Sequence, residues 1–352
     1  MNDCDVLVLG GGPAGLAAAS IAWERGHRTI LLEASNVVGG NARTVEIDGF
    51  RFDTGAHRFH DKNPEATAWL RRTIDDELLT VDAPSAIIEG ERTLRFPLRM
   101  QDLIRHLGPI EMAVAAGSLL RSRIGRSTTY PAASFAKAAV SSYGAVIAHR
   151  FLLNYTEKLW GIPTIELDAE ATGGRIRSLG ITTLIAELLG RRRASHMEGR
   201  FLYPELGFGR IWDSVVNKLP SDVVRRRCAV ERLTFEGDKL QAVVTRDGEP
   251  FRGKTVFSPL PLPRFAKMCA DRLPAADVAE IQRLAFRTLR LVFLGIRRPP
   301  LTRFASLYFP DPRIPFTRLY ESTNRSASMA PSGSTTIPSH LNRALTRRVG
   351  RN

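Results

Sequence analysis

The sequence predicts an α/β fold built around a parallel sheet, and three features of its first sixty residues support this. The apolar, β-branched run at residues 5–9 predicts a strand that stops at the glycine-rich segment 10–15. Small residues at 16–22 predict a helix, and the apolar run at 28–32 predicts a second strand. Strand, glycine turn, helix and strand in this order are typical of a βαβ unit.

The glycines of this turn have the spacing of a dinucleotide-binding fingerprint. In such a turn Gly10 forms the bend, Gly12 lets the backbone approach a pyrophosphate, and Gly15 allows the helix to pack on the sheet. The helix N-terminus offers N–H groups to the phosphates, and Glu33 is placed to bind ribose hydroxyls. The residues expected to hold the dinucleotide are Gly10, Gly12, Pro13, Ala14, Gly15 and Glu33.

A second glycine pair follows Glu33 and favours FAD over a nicotinamide cofactor. Gly39 and Gly40 lead into Asn41, Ala42 and Arg43. Paired glycines just past the ribose acid resemble the second signature element of FAD-binding flavoproteins, in which backbone and a basic residue approach the diphosphate. The chain resembles the amine-oxidase and protoporphyrinogen-oxidase-like flavoproteins and, within that group, UDP-galactopyranose mutase. This resemblance implies FAD as the cofactor and a contact between the backbone near Val230 and the adenine.

Further motifs extend the resemblance and imply candidate site residues. Residues 55–60 resemble a histidine-containing segment of the mutase, which lies beside the flavin ring in that protein. This resemblance makes His57 a candidate for flavin contact and catalysis. Residues 286–289 and 317–321 resemble mutase motifs whose arginines line the flavin and diphosphate site, since a guanidinium group pairs well with phosphate. The catalytic candidates are His57, Arg287 and Arg318, and the substrate-binding candidates are Tyr155, Trp160 and Tyr203.

The segment at 155–161 has two interpretations from its residues alone. Tyr155 and Trp160 could form an aromatic wall over a sugar or base, or they could belong to an ordinary helix end closed by Gly161. The same sequence matches a motif shared by the mutase and its oxidase-like relatives, and this resemblance favours the first interpretation.

The predicted architecture is a Rossmann-type FAD-binding domain with an inserted helical and mixed substrate domain. Helices are expected near 64–79, 103–124, 132–155 and 275–285, and short strands with period two from residue 222 onward. The expected divisions are residues 1–62 for the first FAD-binding part, 63–200 for a mainly helical substrate domain, 201–265 for the return of the FAD domain, 266–330 for a sheet and helix of the substrate domain, and 331–352 for a disordered basic tail.

Charge and composition limit the partners. The chain has 352 residues and a formal net charge of +14, and arginine supplies most of the positive charge. The basic residues are scattered rather than gathered with aromatic residues on one face, which argues against nucleic-acid binding. Arginine pairs well with diphosphates, so a small-molecule substrate such as a nucleotide-sugar or another diphosphate is a candidate partner, as is an anionic membrane surface. Most of the arginines are expected simply to lie on a solvated face. No metal site is expected, because the three cysteines are far apart in sequence.

Membrane association and location follow from the same composition. No cationic segment leads into an apolar one near the start, and three cysteines fit a reducing compartment, so a cytoplasmic location is expected. The helix predicted at 103–124 combines apolar residues with Arg121 and Arg123. It is interpreted either as a packed core helix, which is favoured, or as a peripheral contact with a membrane.

The last thirty residues depart from the family pattern. Residues 322–352 contain five arginines and no carboxylate, whereas relatives continue with a glycine-containing segment that closes over the flavin. The expected consequences are a sheet edge left unpaired near residue 330 and FAD that is bound substoichiometrically and lost on dialysis.

Three hypotheses for function remain open at this point. The first, which is favoured, is an FAD-dependent oxidoreductase that passes hydride from a substrate to the flavin. The second is a mutase-like enzyme that isomerises a nucleotide-sugar with reduced FAD and no net redox change. The third is an inactive flavoprotein that keeps the fold without the closing segment.

Overall fold

The computed structural model describes residues 2–96, 98, 100–124, 130–172 and 200–342. The chain forms two compact units. Unit 1 comprises Met1–Leu79 and Leu202–Phe286, and unit 2 comprises Thr80–Phe201 and Arg287–Asn352. In sequence, the first part of unit 2 therefore lies between the two parts of unit 1, and its second part follows them. The boundaries differ from the predicted ones, since the chain passes between units after residues 79, 201 and 286 rather than after 62, 200, 265 and 330.

The described helices are α1 (Pro13–Glu24), α2 (Pro64–Ile74), α3 (Met100–Ile124), α4 (Phe135–Ile147), α5 (Asn154–Trp160), α6 (Arg210–Lys218), α7 (Leu262–Met268) and α8 (Ala275–Gln282). The described strands are β1 (Asp3–Leu9), β2 (Thr29–Leu32), β3 (Thr44–Ile47), β4 (Phe50–Asp53), β5 (Leu78–Asp82), β6 (Ser85–Glu89), β7 (Arg92–Phe96), β8 (Arg200–Pro204), β9 (Val224–Arg225), β10 (Val230–Glu236), β11 (Lys239–Thr245), β12 (Pro250–Phe257), β13 (Leu289–Ile296), β14 (Ser306–Tyr308), β15 (Phe316–Leu319) and β16 (Thr335–Asn342).

Unit 1 is organised around a six-stranded sheet in the order β10-β11-β12-β1-β2-β9. Strands β12, β1, β2 and β9 are parallel, whereas β10, β11 and β12 form an antiparallel meander. Leu16 and Ala19 of α1 have no exposed surface and pack in one cluster with Val8 and Leu31 of the sheet. The predicted βαβ unit and the predicted α/β fold class are confirmed.

Unit 2 contains a second six-stranded sheet, in the order β13-β16-β15-β14-β6-β7, and a group of helices. Strand β14 runs parallel to β6, and the other neighbours are antiparallel. Helix α3 is broken at Gly108, whose φ of 72° is not helical. A π-helical segment, Ala148–Leu153, joins α4 to α5. Ala136, Ala139 and Phe151 are buried in the core between these helices and the sheet.

The predicted tail and the predicted open sheet edge are both wrong for the residues that the structure describes. Strand β16 lies inside the sheet, where it pairs along its length with β13 and also with β15. Thr335 and Thr336 have no exposed surface. The sequence of β16 shows little alternation by itself, and the strand is stabilised by its pairing with both β13 and β15.

Candidate functional site

The start of α1 forms the first wall of a cofactor cradle in unit 1. Gly12 is the N-cap residue, no side chain caps the helix, and Pro13 occupies its first turn. The N–H groups of this turn are therefore available to an anion, and the helix dipole favours negative charge there. A Cβ atom at Gly15 would lie 1.9 Å from the carbonyl oxygen of Gly10, so only glycine permits this packing of helix on strand.

The space in front of Gly12 fits a pyrophosphate. A Cβ atom built on this residue meets no heavy atom within 4 Å. The backbone of Gly12 has a φ of −76°, which any residue can adopt, so its glycine is not required by local conformation. Open space beside an uncapped helix N-terminus is what a diphosphate needs, and the residues present therefore fit the cofactor that the sequence predicts.

Glu33 is fixed beside the glycine turn at the end of β2. One of its carboxylate oxygens accepts a hydrogen bond from the Gly11 N–H at 2.7 Å, and the other accepts from the Ser35 N–H at 2.8 Å. Each oxygen keeps a lone pair for a ribose hydroxyl. The Cys228 N–H donates to the Glu33 carbonyl at 2.9 Å, which brings the start of β10 close to this acid.

The predicted adenine contact at Val230 stays a prediction. Val230 begins β10 and is buried. Its carbonyl oxygen accepts a hydrogen bond from Nη2 of Arg264 at 3.1 Å. A hydrogen bond from the adenine to the Val230 carbonyl would therefore share this oxygen with Arg264 or displace it.

The second glycine loop contacts the first through the backbone. The Gly39 N–H donates to the Gly11 carbonyl oxygen at 2.7 Å, and the Ala42 N–H donates to the Gly39 carbonyl oxygen at 2.8 Å. Within the described residues, Nε of Arg43 is buried and has no hydrogen-bond partner. A buried guanidinium donor without an acceptor is costly unless a ligand supplies one, so Arg43 is suited to a phosphate oxygen.

His57 is held against this loop. Its Nε2 lies 2.9 Å from the carbonyl oxygen of Asn41, and its ring stacks on Phe208 with the centroids 5.0 Å apart. The Phe208 N–H donates to the Asp53 carboxylate at 2.9 Å. The structure thus places His57 next to the predicted cofactor loop. A hydrogen bond at Nε2 and stacking on one ring face hold the imidazole in position.

Asp53 is a residue of this region that the sequence analysis did not single out. Its carboxylate has no exposed surface and accepts hydrogen bonds from the hydroxyl groups of Thr44 and Tyr203 as well as from Phe208. Strand β4, the turn before α6 and strand β8 meet at this one side chain. The available signal in the sequence was an acidic residue at the end of a strand. A carboxylate in such a position needs hydrogen-bond donors if it is buried.

The structure buries Tyr203, which the sequence analysis expects to bind substrate. Its side chain has no exposed surface, and its hydroxyl donates a hydrogen bond to the carboxylate of Asp53. The contact with Asp53 is structural, and the substrate role of Tyr203 stays a prediction.

Unit 2 brings the other predicted residues together around α5. Nη2 of Arg287 donates to the carbonyl oxygen of Lys158 at 3.0 Å, whereas its Nε and Nη1 are buried without partners among the described residues. Burial lowers the pKa of the Arg287 guanidinium. Gly161 ends α5 in the left-handed conformation, directly against this guanidinium.

Arg318 and Tyr155 meet at a shared neighbour, Tyr308. The Arg318 guanidinium lies 5.6 Å from the centre of the Tyr308 ring, and the Tyr155 ring packs edge-on against it with the centroids 5.8 Å apart. Nε of Arg318 is buried and has no partner in the described part of the chain. Trp160, at the end of α5, is exposed.

Lys158 anchors the same cluster to the loop after β14. Its Nζ donates to the carbonyl oxygens of Phe309 and Asp311, both at 2.8 Å. Burial lowers the pKa of Lys158 to about 8, and the nearby Asp311 carboxylate opposes this shift. The cluster therefore combines two aromatic rings with three cationic groups, which suits a ligand that is both anionic and planar or cyclic.

Comparison with known proteins assigns the family. The model of the flavin-containing amine oxidoreductases matches residues 13–342 of this chain. The chain belongs to that family. Its cofactor is FAD, in agreement with the cradle in unit 1, and the predicted resemblance is confirmed.

Individual relatives are similar in sequence to this family member over segments shorter than the family match. A carotenoid 3,4-desaturase from Haloarcula japonica is 49% identical over 51 residues, which are 14% of this chain and 10% of the relative. A probable UDP-galactopyranose mutase from Klebsiella pneumoniae is 24% identical over 173 residues, 48% of this chain and 44% of the relative. The sequence matches thus span less than half of each of these relatives.

A solved structure shows the same fold over nearly the whole chain. Reduced UDP-galactopyranose mutase superposes with a TM-score of 0.78 and 21% identity, covering 97% of this chain and 75% of the mutase. No described helix of this family member is both long and apolar enough to cross a membrane.

Proposed function

We propose that this chain is an FAD-dependent oxidoreductase that takes hydride from a small anionic substrate. The observation that carries this proposal is the open space in front of Gly12, which lies beside an uncapped helix N-terminus and next to the fixed carboxylate of Glu33. When bound, FAD supplies the hydride acceptor. The chain supplies binding, orientation and charge.

Different residues of unit 1 bind different parts of the cofactor. The N–H groups at the start of α1 hold the pyrophosphate, and the free lone pairs of Glu33 accept the ribose hydroxyls. Arg43 donates its unpartnered Nε to the diphosphate. His57, pinned between Asn41 and Phe208, contacts the flavin ring.

The residues of unit 2 select the substrate. Arg287 and Arg318 present buried N–H groups that lack acceptors within the described residues. A phosphate or carboxylate of the substrate gives these donors their missing partner, and charge-assisted hydrogen bonds of this kind are the strong ones. Tyr155 and Trp160 provide aromatic surface for the rest of the molecule.

A second candidate function is the isomerisation of a nucleotide-sugar with no net redox change. Two arginines at α5 favour it, because they suit a diphosphate and the neighbouring rings suit a sugar or base. Arg318 lies over Tyr308, against which Tyr155 packs, and Arg287 contacts the end of α5. Reduced UDP-galactopyranose mutase also has the same fold. This candidate requires affinity for UDP. Arg318→Lys keeps the charge but loses the planar guanidinium fork, and we expect it to weaken UDP binding by about 1–3 kcal/mol.

One anaerobic experiment separates the candidates. The FAD-loaded protein is incubated with UDP-galactopyranose, with and without dithionite, and separately with a panel of small amines that each carry a carboxylate or a phosphate. Bleaching of the flavin absorption by a panel member without dithionite supports the oxidoreductase. Sugar isomerisation that needs dithionite supports the mutase-like function instead. If neither flavin bleaching nor sugar isomerisation is observed and the protein retains FAD, the chain is an inactive flavoprotein.

Calorimetric titration with UDP provides the second measurement. Arg313→Lys is the matched control, because Arg313 is exposed and its guanidinium is already paired with Asp311 at 2.7 Å. Absence of UDP affinity in the parent protein, or equal affinity in the Arg318 and Arg313 variants, removes the nucleotide-sugar candidate without affecting the oxidoreductase.

A further inference from the structure

The second half of α3 carries apolar side chains on its outer surface. Ile110 is 79% exposed, Val114 58%, Leu120 59% and Ile124 75%. At 100° per residue these four positions fall within about 120° of the helix circumference. They form one continuous face, which we call the outer stripe. A set of large aliphatic side chains this exposed on one helix face marks an interaction surface.

The outer stripe is separate from the surface by which α3 is held in unit 2. Ala115 is buried in the core cluster of unit 2, and Met112, on the same face of the helix, packs against that cluster. The hydroxyl oxygen of Ser118 accepts a hydrogen bond from the Val146 N–H of α4 at 3.3 Å. Helix α3 is thus anchored through its inner face. The favoured sequence interpretation, a helix packed in the core, is correct for that face alone.

The charges in and near the outer stripe are positive. Arg121 and Arg123 lie in the last turn of α3 and are exposed. At 100° per residue Arg121 falls within the arc of the stripe, at its C-terminal end, and Arg123 falls about 60° outside it. The only acid between residues 109 and 124 is Glu111, whose carboxylate is paired with Arg150 at 2.9 Å. The whole chain carries a formal net charge of +14. Any partner of the stripe therefore has to offer apolar surface together with negative charge.

We propose that the outer stripe lies on the surface of an anionic lipid bilayer. The segment 109–124 is about 24 Å long at 1.5 Å per residue, enough to lie flat in the interface with its aliphatic side chains below the headgroups. Arg121 and Arg123 reach lipid phosphates from the same end. A second copy of this chain fits less well, because a symmetric contact through this face offers no unpaired carboxylate to these arginines.

Binding to vesicles tests this proposal with the full 352-residue chain. Sedimentation is measured with phosphatidylcholine vesicles and with vesicles that also contain phosphatidylglycerol. We expect binding to the anionic vesicles that weakens as salt is raised, and little binding to the neutral ones. Ile110→Ser together with Ile124→Ser should reduce the partition coefficient on the order of a hundredfold, since each buried aliphatic side chain contributes about tenfold.

Matched variants make the test specific to α3. Ile47→Ser removes an isoleucine that is 57% exposed on β3, and it should leave vesicle binding unchanged. Arg121→Glu together with Arg123→Glu should abolish the preference for anionic lipid. Equal binding by the parent and the double serine variant overturns the proposal, as does absence of binding to either kind of vesicle. A dimer in light scattering that the double serine variant dissociates also overturns it, in favour of a second copy.

Discussion

The hydroxyl of Tyr203 donates a hydrogen bond to the carboxylate of Asp53, and neither side chain has any exposed surface. The same carboxylate accepts from Thr44 and from the Phe208 N–H. Phe208 in turn stacks on His57. A buried acid thus connects the β3–β4 hairpin, strand β8 and the histidine beside the cofactor loop, and it acts by positioning these groups rather than by touching a ligand.

We expect Tyr203→Phe to lower the free energy of unfolding by about 1–3 kcal/mol, because it leaves a buried carboxylate with one donor fewer. Urea denaturation of the two proteins measures this difference. Tyr130→Phe is the control, since the Tyr130 hydroxyl bonds His149 at 3.1 Å in an exposed position. Equal losses in the two variants would show that burial of Asp53 adds nothing to the bond.

The contrast between Tyr203 and the glycine turn shows what the sequence could predict. Gly10, Gly15 and Glu33 act within a stretch of about thirty residues, so their spacing already specifies their geometry. Tyr203 and Asp53 are far apart in sequence, and neither their contact nor their burial leaves a local pattern. The same motif-based reasoning that located the cofactor residues could therefore not predict that Tyr203 is buried against Asp53.

The second sheet was predicted only as a segment within residues 266–330, and its other strand pairings were hidden for a similar reason. Its parallel pair joins Ser306 of β14 to Ser85 of β6, across more than two hundred residues. Strand β16 alternates too little to be recognised by itself and is stabilised by pairing with both β13 and β15. By contrast, the meander β10-β11-β12 is local, and its short strands were predicted from their period-two pattern because each strand pairs with its neighbour in sequence.

We expect Gly12→Val to fold normally and to lose FAD. The backbone of Gly12 has a φ of −76°, and no described atom would contact the new Cβ, so the free energy of unfolding of the apoprotein should change by less than about 1 kcal/mol. The valine side chain fills the space needed by the pyrophosphate. The absorbance ratio of flavin to protein after purification measures the loss, and unchanged flavin content would contradict the assigned cradle.

Gly15→Ala provides the matched comparison for that experiment. Its methyl group would lie 1.9 Å from the Gly10 carbonyl oxygen, so this variant should lose stability as well as flavin. Loss of FAD with normal stability at Gly12, and loss of both at Gly15, would separate the cofactor contact from the packing contact within one turn.

Gly161→Ala should displace Arg287 from its position in the substrate cluster. The added Cβ would lie 2.2 Å from Nη1 of Arg287, and the φ of 71° at Gly161 adds a backbone cost of about 1 kcal/mol. Gly248→Ala is the control, since Gly248 has a φ of 84° and open space around it. Both variants should lose similar backbone stability. Only Gly161→Ala should also weaken binding of an anionic substrate or of UDP, as measured by calorimetric titration.

Stability above neutral pH should depend on Lys158. Burial lowers the pKa of this group from 10.5 to about 8 in the folded protein. Between these two values the unfolded chain binds the proton and the folded chain does not, so the free energy of unfolding rises with pH across this window. Below about pH 8 both states are protonated, and the full cost of burying the charge is present.

Lys158→Met removes the titrating group and should flatten this rise between about pH 8 and pH 10.5. Lys218→Met is the control. The Lys218 amino group also donates to two backbone carbonyls, those of Arg72 and Thr73, but in an exposed position, so this variant reports the loss of two such hydrogen bonds alone. The comparison requires denaturation curves at several pH values for the three proteins. If the parent and Lys158→Met show the same slope against pH, the burial of Lys158 does not perturb its protonation, and the cluster around α5 keeps its positive charge at this position until the pH approaches 10.5.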